Sequence, residues 1–217
     1  MYSWKRNLRP ALAALVFLSA LTGLAYPAAV WAGAWILFPS QASGSLVRDH
    51  GRIVGSLQIA QATSDSGSFH PRPSAAASGY IADSSSGSNA GPLNRSYVDT
   101  VIPGRTAAYR NENGLPQSVP VPADAVTASG SGLDPDITLE NALLQAPRVA
   151  RVRHLDPSVL AAFVRSQAQD KIWYAESERP VNVLALNLAL KDDRIRNVKM
   201  ALAARTSMGI ARGQCLR

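Results

Sequence analysis

From Ala11 to Phe38 the chain runs 28 residues without a charged side chain, and the next charge is Arg48. At ~1.5 Å per residue that run makes a helix of roughly 42 Å, against a hydrocarbon core of about 30 Å. A cleavable signal peptide needs an apolar region of only about 7–15 residues, and small residues at Ala32-Gly33-Ala34 resemble a cleavage site. The uninterrupted length favours a retained anchor. Lys5, Arg6 and Arg9 precede the run. The positive-inside rule therefore keeps residues 1–10 in the cytoplasm, makes 11–35 a transmembrane helix and exports the rest. Trp4 on one side and Trp31 and Trp35 on the other suit the aromatic belts of the two interfaces. Pro27 is expected to kink the helix near its exported end. Ala25, Ala29 and Gly33 recur every fourth residue, a row of small side chains that lets a neighbouring helix approach closely in lipid.

Beyond the anchor the expected class is α+β: a single N-terminal transmembrane helix followed by one exported mixed α/β domain, 40–190, and a basic tail, 191–217. Charge supports that division. Of 22 basic and 15 acidic residues, three basic ones precede the run, and seven basic and two acidic ones follow Leu190. The remaining 12 and 13 leave the exported domain near neutral, without the basic footprint of a nucleic-acid binder. The single cysteine, Cys215, cannot form an intrachain disulfide.

Along the domain, "GRIVGSLQIAQ" (Ile53, Leu57, Ile59) reads as one or two short strands, and the Ser-, Gly- and Pro-rich 61–94 as loop. Residues 97–110 suggest a helix interrupted near Pro103-Gly104, and Val119–Val126 a strand. The run 139–153 carries Leu139, Ala142, Leu143, Ala146, Val149 and Val152 on one apolar stripe, with Pro147 expected to bend or split the helix. Asp156-Pro157 caps and starts the next helix, and "PVNVLALNLAL" is a last apolar one.

The densest stretch for chemistry is "VTASGSGLDPDIT", 126–138. A phosphate loop needs G-x-x-x-x-G-K-[ST], and no lysine lies between Lys5 and Lys171. A serine elbow needs G-x-S-x-G, which "SGSG" does not supply, and nothing brings His50, His70 or His154 towards Ser129 or Ser131. Asp134 and Asp136 lack the further ligands of a calcium loop, and no His or Cys pair has zinc spacing. The stretch is expected to be a turn and cap: Gly130 and Gly132 permit positive φ, while Asp134 and Thr138 accept from backbone donors ahead of the helix. Prolines 71 and 73 in "SGSFHPRPSA" stiffen a hook that presents His70 and Arg72, a structural or interface pair. Gln145, Arg148 and Arg151 lie near one another on the 139–153 helix, as the polar edge of a subunit contact or as a solvated face.

Taken together, "NLRPAL", "YP", "ASGSLV", "FHPRPSA", "SSGSN", "VTASGSGLDPDIT", "QAPRVARVR" and "VNVLALNLAL" occur in an order that resembles the KdpC subunit family of potassium-transporting P-type ATPases. The resemblance covers roughly residues 7–190. Departures at Ala60, Ala62-Thr63, Ser68 and Ser86, and the tail after Leu190, touch local loop detail. The resemblance implies a non-catalytic subunit in the inner membrane, beside a channel-like potassium-translocating subunit and an ATP-hydrolysing P-type subunit. It also implies a catalytic chaperone that raises the ATP affinity of the hydrolysing subunit, with ATP itself contacted. The residues object to that contact: an exported domain faces away from cytosolic ATP and holds no phosphate loop. Assembly and stabilisation of the pump is the firmer expectation. Two other classes fit the composition: a membrane-tethered exported binding module, and a secreted hydrolase with a histidine close to Ser131.

Overall fold

The structure, a computed structural model, describes residues 4–169 and 175–191. The basic tail beyond Lys191, with Cys215, lies outside the described residues. Two compact units divide the chain between Val54 and Gly55.

The first unit is built on one long helix, of which Asn7–Leu37 is long and apolar enough to cross a membrane. It comprises α1 (Trp4–Ala20), a π-helical turn Leu21–Ala25 and α2 (Tyr26–Leu37). The turn is explained by Pro27. A proline removes the N–H that an α-helix would direct to residue 23 and crowds that carbonyl. Here Tyr26 N–H bonds back to Leu21 O, and the extra residue absorbs the clash without ending the helix. Ala25, Ala29 and Gly33 all lie at or beyond the last residue of that turn, so their four-residue spacing holds one face. A short α3 (Pro39–Ala42) follows, then β1 (Leu46–Asp49) paired with β2 (Arg52–Ser56). The strand expectation therefore holds for Ile53, while Leu57 and Ile59 fall outside the strands.

The second unit packs helices on a two-stranded antiparallel ribbon. Its elements are α4 (Ile102–Asn113), α5 (Ala123–Val126), β3 (Asp136–Thr138), α6 (Leu139–Val152), α7 (Pro157–Gln167), β4 (Pro180–Asn182) and α8 (Val183–Lys191). β3 and β4 pair in the register Asp136 with Asn182, Ile137 with Val181 and Thr138 with Pro180. The main core gathers Ile137, Leu139, Val149, Leu160, Phe163 and Leu186 around α6, and includes Phe69 from the long loop.

Four expectations are corrected here. The helix after Tyr97 is not interrupted at Pro103: a π turn, Tyr97–Val101, precedes it, and Ile102 N–H bonds to Tyr97 O, the same device used at Pro27. Residues 119–126 form no strand. Pro120 and Pro122 cannot donate to a ladder, and Ala123–Val126 turn helical instead, aiming Asp124 inward. Pro147 leaves α6 as one helix. The segment 180–190 is not all helix, because its first three residues pair with β3 before α8 begins. The caps follow the sequence closely. Thr138 Oγ1 accepts from Asn141 N at 3.1 Å, and Asp156 Oδ1 accepts from Ser158 N at 2.8 Å.

Candidate functional site

The chemistry-bearing side chains of the second unit converge where α4, α5 and α6 meet the loop 63–80. α6 turns three polar residues inward beside its apolar stripe. Asn141, Gln145 and Arg148 are spaced i, i+4 and i+7, and all three are buried. Gln145 uses every position of its amide. Nε2 donates to His70 O at 3.1 Å and to Asn141 Oδ1 at 2.9 Å. Oε1 accepts from His70 N at 2.8 Å and from Arg148 Nη2 at 3.1 Å. An amide has two donors and two lone pairs, so Gln145 is saturated. Asn187 of α8 repeats the arrangement one residue earlier, accepting from Phe69 N at 2.7 Å and donating to Phe69 O at 2.9 Å. Two side-chain amides thus stand where a neighbouring β-strand would be, fixing the backbone of consecutive loop residues.

Arg148 ties the same loop by its carbonyls. Its Nη1 donates to Ser66 O and to Ser68 O, and its Nε to Asn113 Oδ1 at 3.0 Å. Burial lowers the pKa of this guanidinium, opposed chiefly by the charge of Glu112, whose Oε1 lies 3.8 Å from Nε. Asp124 gathers the start of α6, accepting from Thr138 N at 2.8 Å and Asn141 Nδ2 at 3.0 Å. Tyr109 closes the network, its hydroxyl donating to Asn141 Oδ1 at 2.8 Å. Burial raises that phenol above its ordinary pKa, and the Asp124 carboxylate adds to the effect.

A cleft of about 270 Å³ opens beside this network, lined in part by His70, Pro71, Pro73, Tyr80, Arg105 and Glu112. His70 and Arg72 do not form an exposed hook. Each is three-quarters covered, with His70 Nδ1 2.7 Å from Glu112 Oε1 and Arg72 Nη1 3.0 Å from Asp134 Oδ2. His70 Nε2 faces Asp65 O at 3.0 Å, so neither ring nitrogen serves Ser129 or Ser131. The Asp65 carboxyl is held below its ordinary pKa, first by the Ser68 hydroxyl and then by the Gly67 N–H.

The "SGSG" turn is packed backbone to backbone. Gly132 has φ +68°, and a Cβ there would stand 2.4 Å from Ser86 O and 2.7 Å from Ala76 N. Gly130 takes no positive φ, and a Cβ on it would meet nothing within 4 Å. Asp134 Oδ1 accepts from Asp136 N at 3.1 Å. Of the polar trio read from the sequence, Gln145 and Arg148 are inside and Arg151 remains exposed. The sequence reading missed Asn187, Asp124, Tyr109 and Glu112. The signal was present for Asn187, the one polar residue in an otherwise apolar "VLALNLAL". Among the described residues no cluster of metal-ligating side chains occurs.

A family model described as "KdpC: K+-transporting ATPase, c chain" matches residues 8–192. The chain belongs to the KdpC family. Three relatives carry the description "Potassium-transporting ATPase KdpC subunit". The protein from Caulobacter vibrioides (strain NA1000 / CB15N) is 49% identical over 185 residues, covering 85% of this chain and 92% of that one. The one from Rhodospirillum rubrum is 48% identical over 187 residues, covering 86% and 96%. The one from Mycobacterium tuberculosis (strain ATCC 25618 / H37Rv) is 45% identical over 186 residues, covering 86% and 98%. The cleft beside the polar network is mixed in charge. The Glu112 carboxylate lines it, the Asn141 and Gln145 amides are committed internally, and Arg105 Nη1 already donates to Val126 O at 2.9 Å.

Proposed function

We propose that this chain is the accessory KdpC-type subunit of an ATP-driven potassium uptake complex, assembling and stabilising the pump. Its helix crosses the inner membrane once with residues 1–10 in the cytoplasm, and 40–190 form the domain on the far side. Its partners are the channel-like potassium-translocating subunit and the ATP-hydrolysing P-type subunit. One observation supports this reading above the others: near the cleft, the groups able to do chemistry are spent holding the chain together. Gln145, Asn141, Arg148 and Asp124 each bond internally, which suits a rigid docking body that turns over no substrate. Any rise in ATP affinity of the hydrolysing subunit then follows from how the assembled pump is held. Ala25, Ala29 and Gly33 offer a helix-packing face, and exposed Arg151 an outward polar contact.

The test is co-purification of a tagged full chain from detergent-solubilised membranes after potassium starvation. Recovery with a P-type ATPase and a potassium-translocating subunit is the expected result. Recovery of the chain alone, or from the soluble fraction without its first thirty or so residues, would overturn it.

A further inference from the structure

We infer that His70 is a pH-responsive clasp joining the loop 63–80 to α4, fully closed only while its ring and Glu112 share an extra proton. Both ring nitrogens face acceptors. Nδ1 stands 2.7 Å from Glu112 Oε1, and Nε2 stands 3.0 Å from Asp65 O. A carbonyl only accepts, so Nε2 donates there. An ionised carboxylate only accepts as well, and a neutral imidazole has one N–H to offer. Whether the extra proton sits on Nδ1 or on the Glu112 oxygen, the pair holds one more than neutral imidazole beside ionised carboxylate. When that proton leaves, one of the two ties must open. Acid therefore favours the closed clasp, and its contribution is lost as pH rises.

The residue cannot shift as a whole to restore both ties. Its backbone N–H and C=O are each bonded to Gln145, and Pro71 follows it. The charged and titratable groups around the ring are otherwise occupied. From α4, Arg105 donates to Val126 O, and the Tyr109 hydroxyl donates to Asn141. From the loop, Arg72 pairs with Asp134, and the Tyr80 hydroxyl donates to Arg72 O. The Asp65 carboxylate accepts from Ser68 Oγ and Gly67 N, with Arg153 at 3.7 Å. From α6, Arg148 Nε lies 3.8 Å from the Glu112 oxygen that faces His70, so that carboxylate keeps a cation beside it after the ring lets go. Ala125 of α5 reaches the cleft without charge. Among side chains of these types, only imidazole ordinarily changes charge between about pH 5 and 8. The other two histidines, His50 and His154, are exposed. On the exported side proposed for this domain, the loop would be firm in acidic surroundings and loosened in alkaline ones. That sense rests on the proposed placement, whereas the clasp rests on the distances.

The test is hydrogen exchange of the purified full chain in detergent, read over 63–70 and 105–113 at about pH 5.5 and about pH 8.5, with rates corrected for the intrinsic effect of pH. The parent is expected to lose protection roughly tenfold between the two, the weight of one charge-assisted hydrogen bond. Glu112→Gln should keep its protection at the higher pH, because its amide can donate to a neutral Nδ1 while Nε2 still holds Asp65 O. His70→Phe makes neither tie and should be equally loose at both. Equal protection of the parent at both values would overturn the proposal. So would a parent-sized fall in either variant, which would assign the response to another group. Exchange is read on the chain alone, so a flat parent leaves the pump reading standing, and failed co-purification leaves the clasp standing.

Discussion

Removing Gln145 tests the idea that side-chain amides stand in for a strand. In Gln145→Ala the N–H and C=O of His70 both lose their partner, as do Arg148 Nη2 and one lone pair of Asn141 Oδ1. Arg148 and Asn141 keep other bonds, so the main loss falls on the two backbone groups of His70. A buried group left unsatisfied costs about 1–3 kcal/mol. The adjacent cleft admits some water, which places the total near 3 kcal/mol. For a protein of this size that corresponds to a Tm lower by about 6–12 °C. Gln145→Met fills similar volume without the bonds and is expected to fall as far. The assay is thermal unfolding of the full chain in detergent by circular dichroism, with hydrogen exchange read at the His70 amide. If both variants melt within about 2 °C of the parent, the hydrogen-bond accounting is wrong. If Met alone restores the parent Tm, Gln145 contributes packing rather than bonding.

Gly132→Ala should destabilise the domain by about 3 kcal/mol or more, combining left-handed strain with backbone overlap, whereas Gly130→Ala should change Tm little. Equal effects of the two would refute the packing of the turn. Asp124→Ala removes the acceptor shared by Thr138 and Asn141 and should cost about 2–4 kcal/mol, seen first as faster exchange at the start of α6. Asp65 has a lowered pKa when folded, below its ordinary 3.8. Its contribution is therefore complete above that value and is lost as pH falls through the depressed one. Asp65→Asn should flatten the acid limb of a stability–pH curve below about pH 4, and an unchanged limb would show that the Ser68 and Gly67 bonds do not stabilise the loop.

Much of this fold was legible residue by residue. An unbroken apolar run announces a helix long enough to cross a membrane, and Thr138 and Asp156 cap helices because their oxygens reach backbone donors two or three residues on. What misled was proline. Pro103 read as an interruption and Pro147 as a bend or a split, yet the first is absorbed by a preceding π turn, as Pro27 is, and the second is carried within an unsplit α6. The candidate site was half legible. Gln145 and Arg148 were singled out for their spacing, but spacing cannot say which way a polar stripe faces. Asn141, four residues before Gln145, shares its inward face. Asn187 and Phe69, 118 residues apart, meet through tertiary packing that no local pattern contains.

The paired π turns bear on how such a chain tolerates changes in length. Each turn holds one residue more than an α-helix needs, and each successive helical residue rotates the chain by about 100°. A single deletion among Leu21–Ala25 would remove the surplus and let the turn close as ordinary α-helix, leaving the first half of that helix facing as it did against the row at Ala25, Ala29 and Gly33. One residue gained or lost elsewhere in the helix would instead swing one half by that angle against the other. Lineages that vary in length at the π turn would therefore keep the same face towards whatever helix lies alongside.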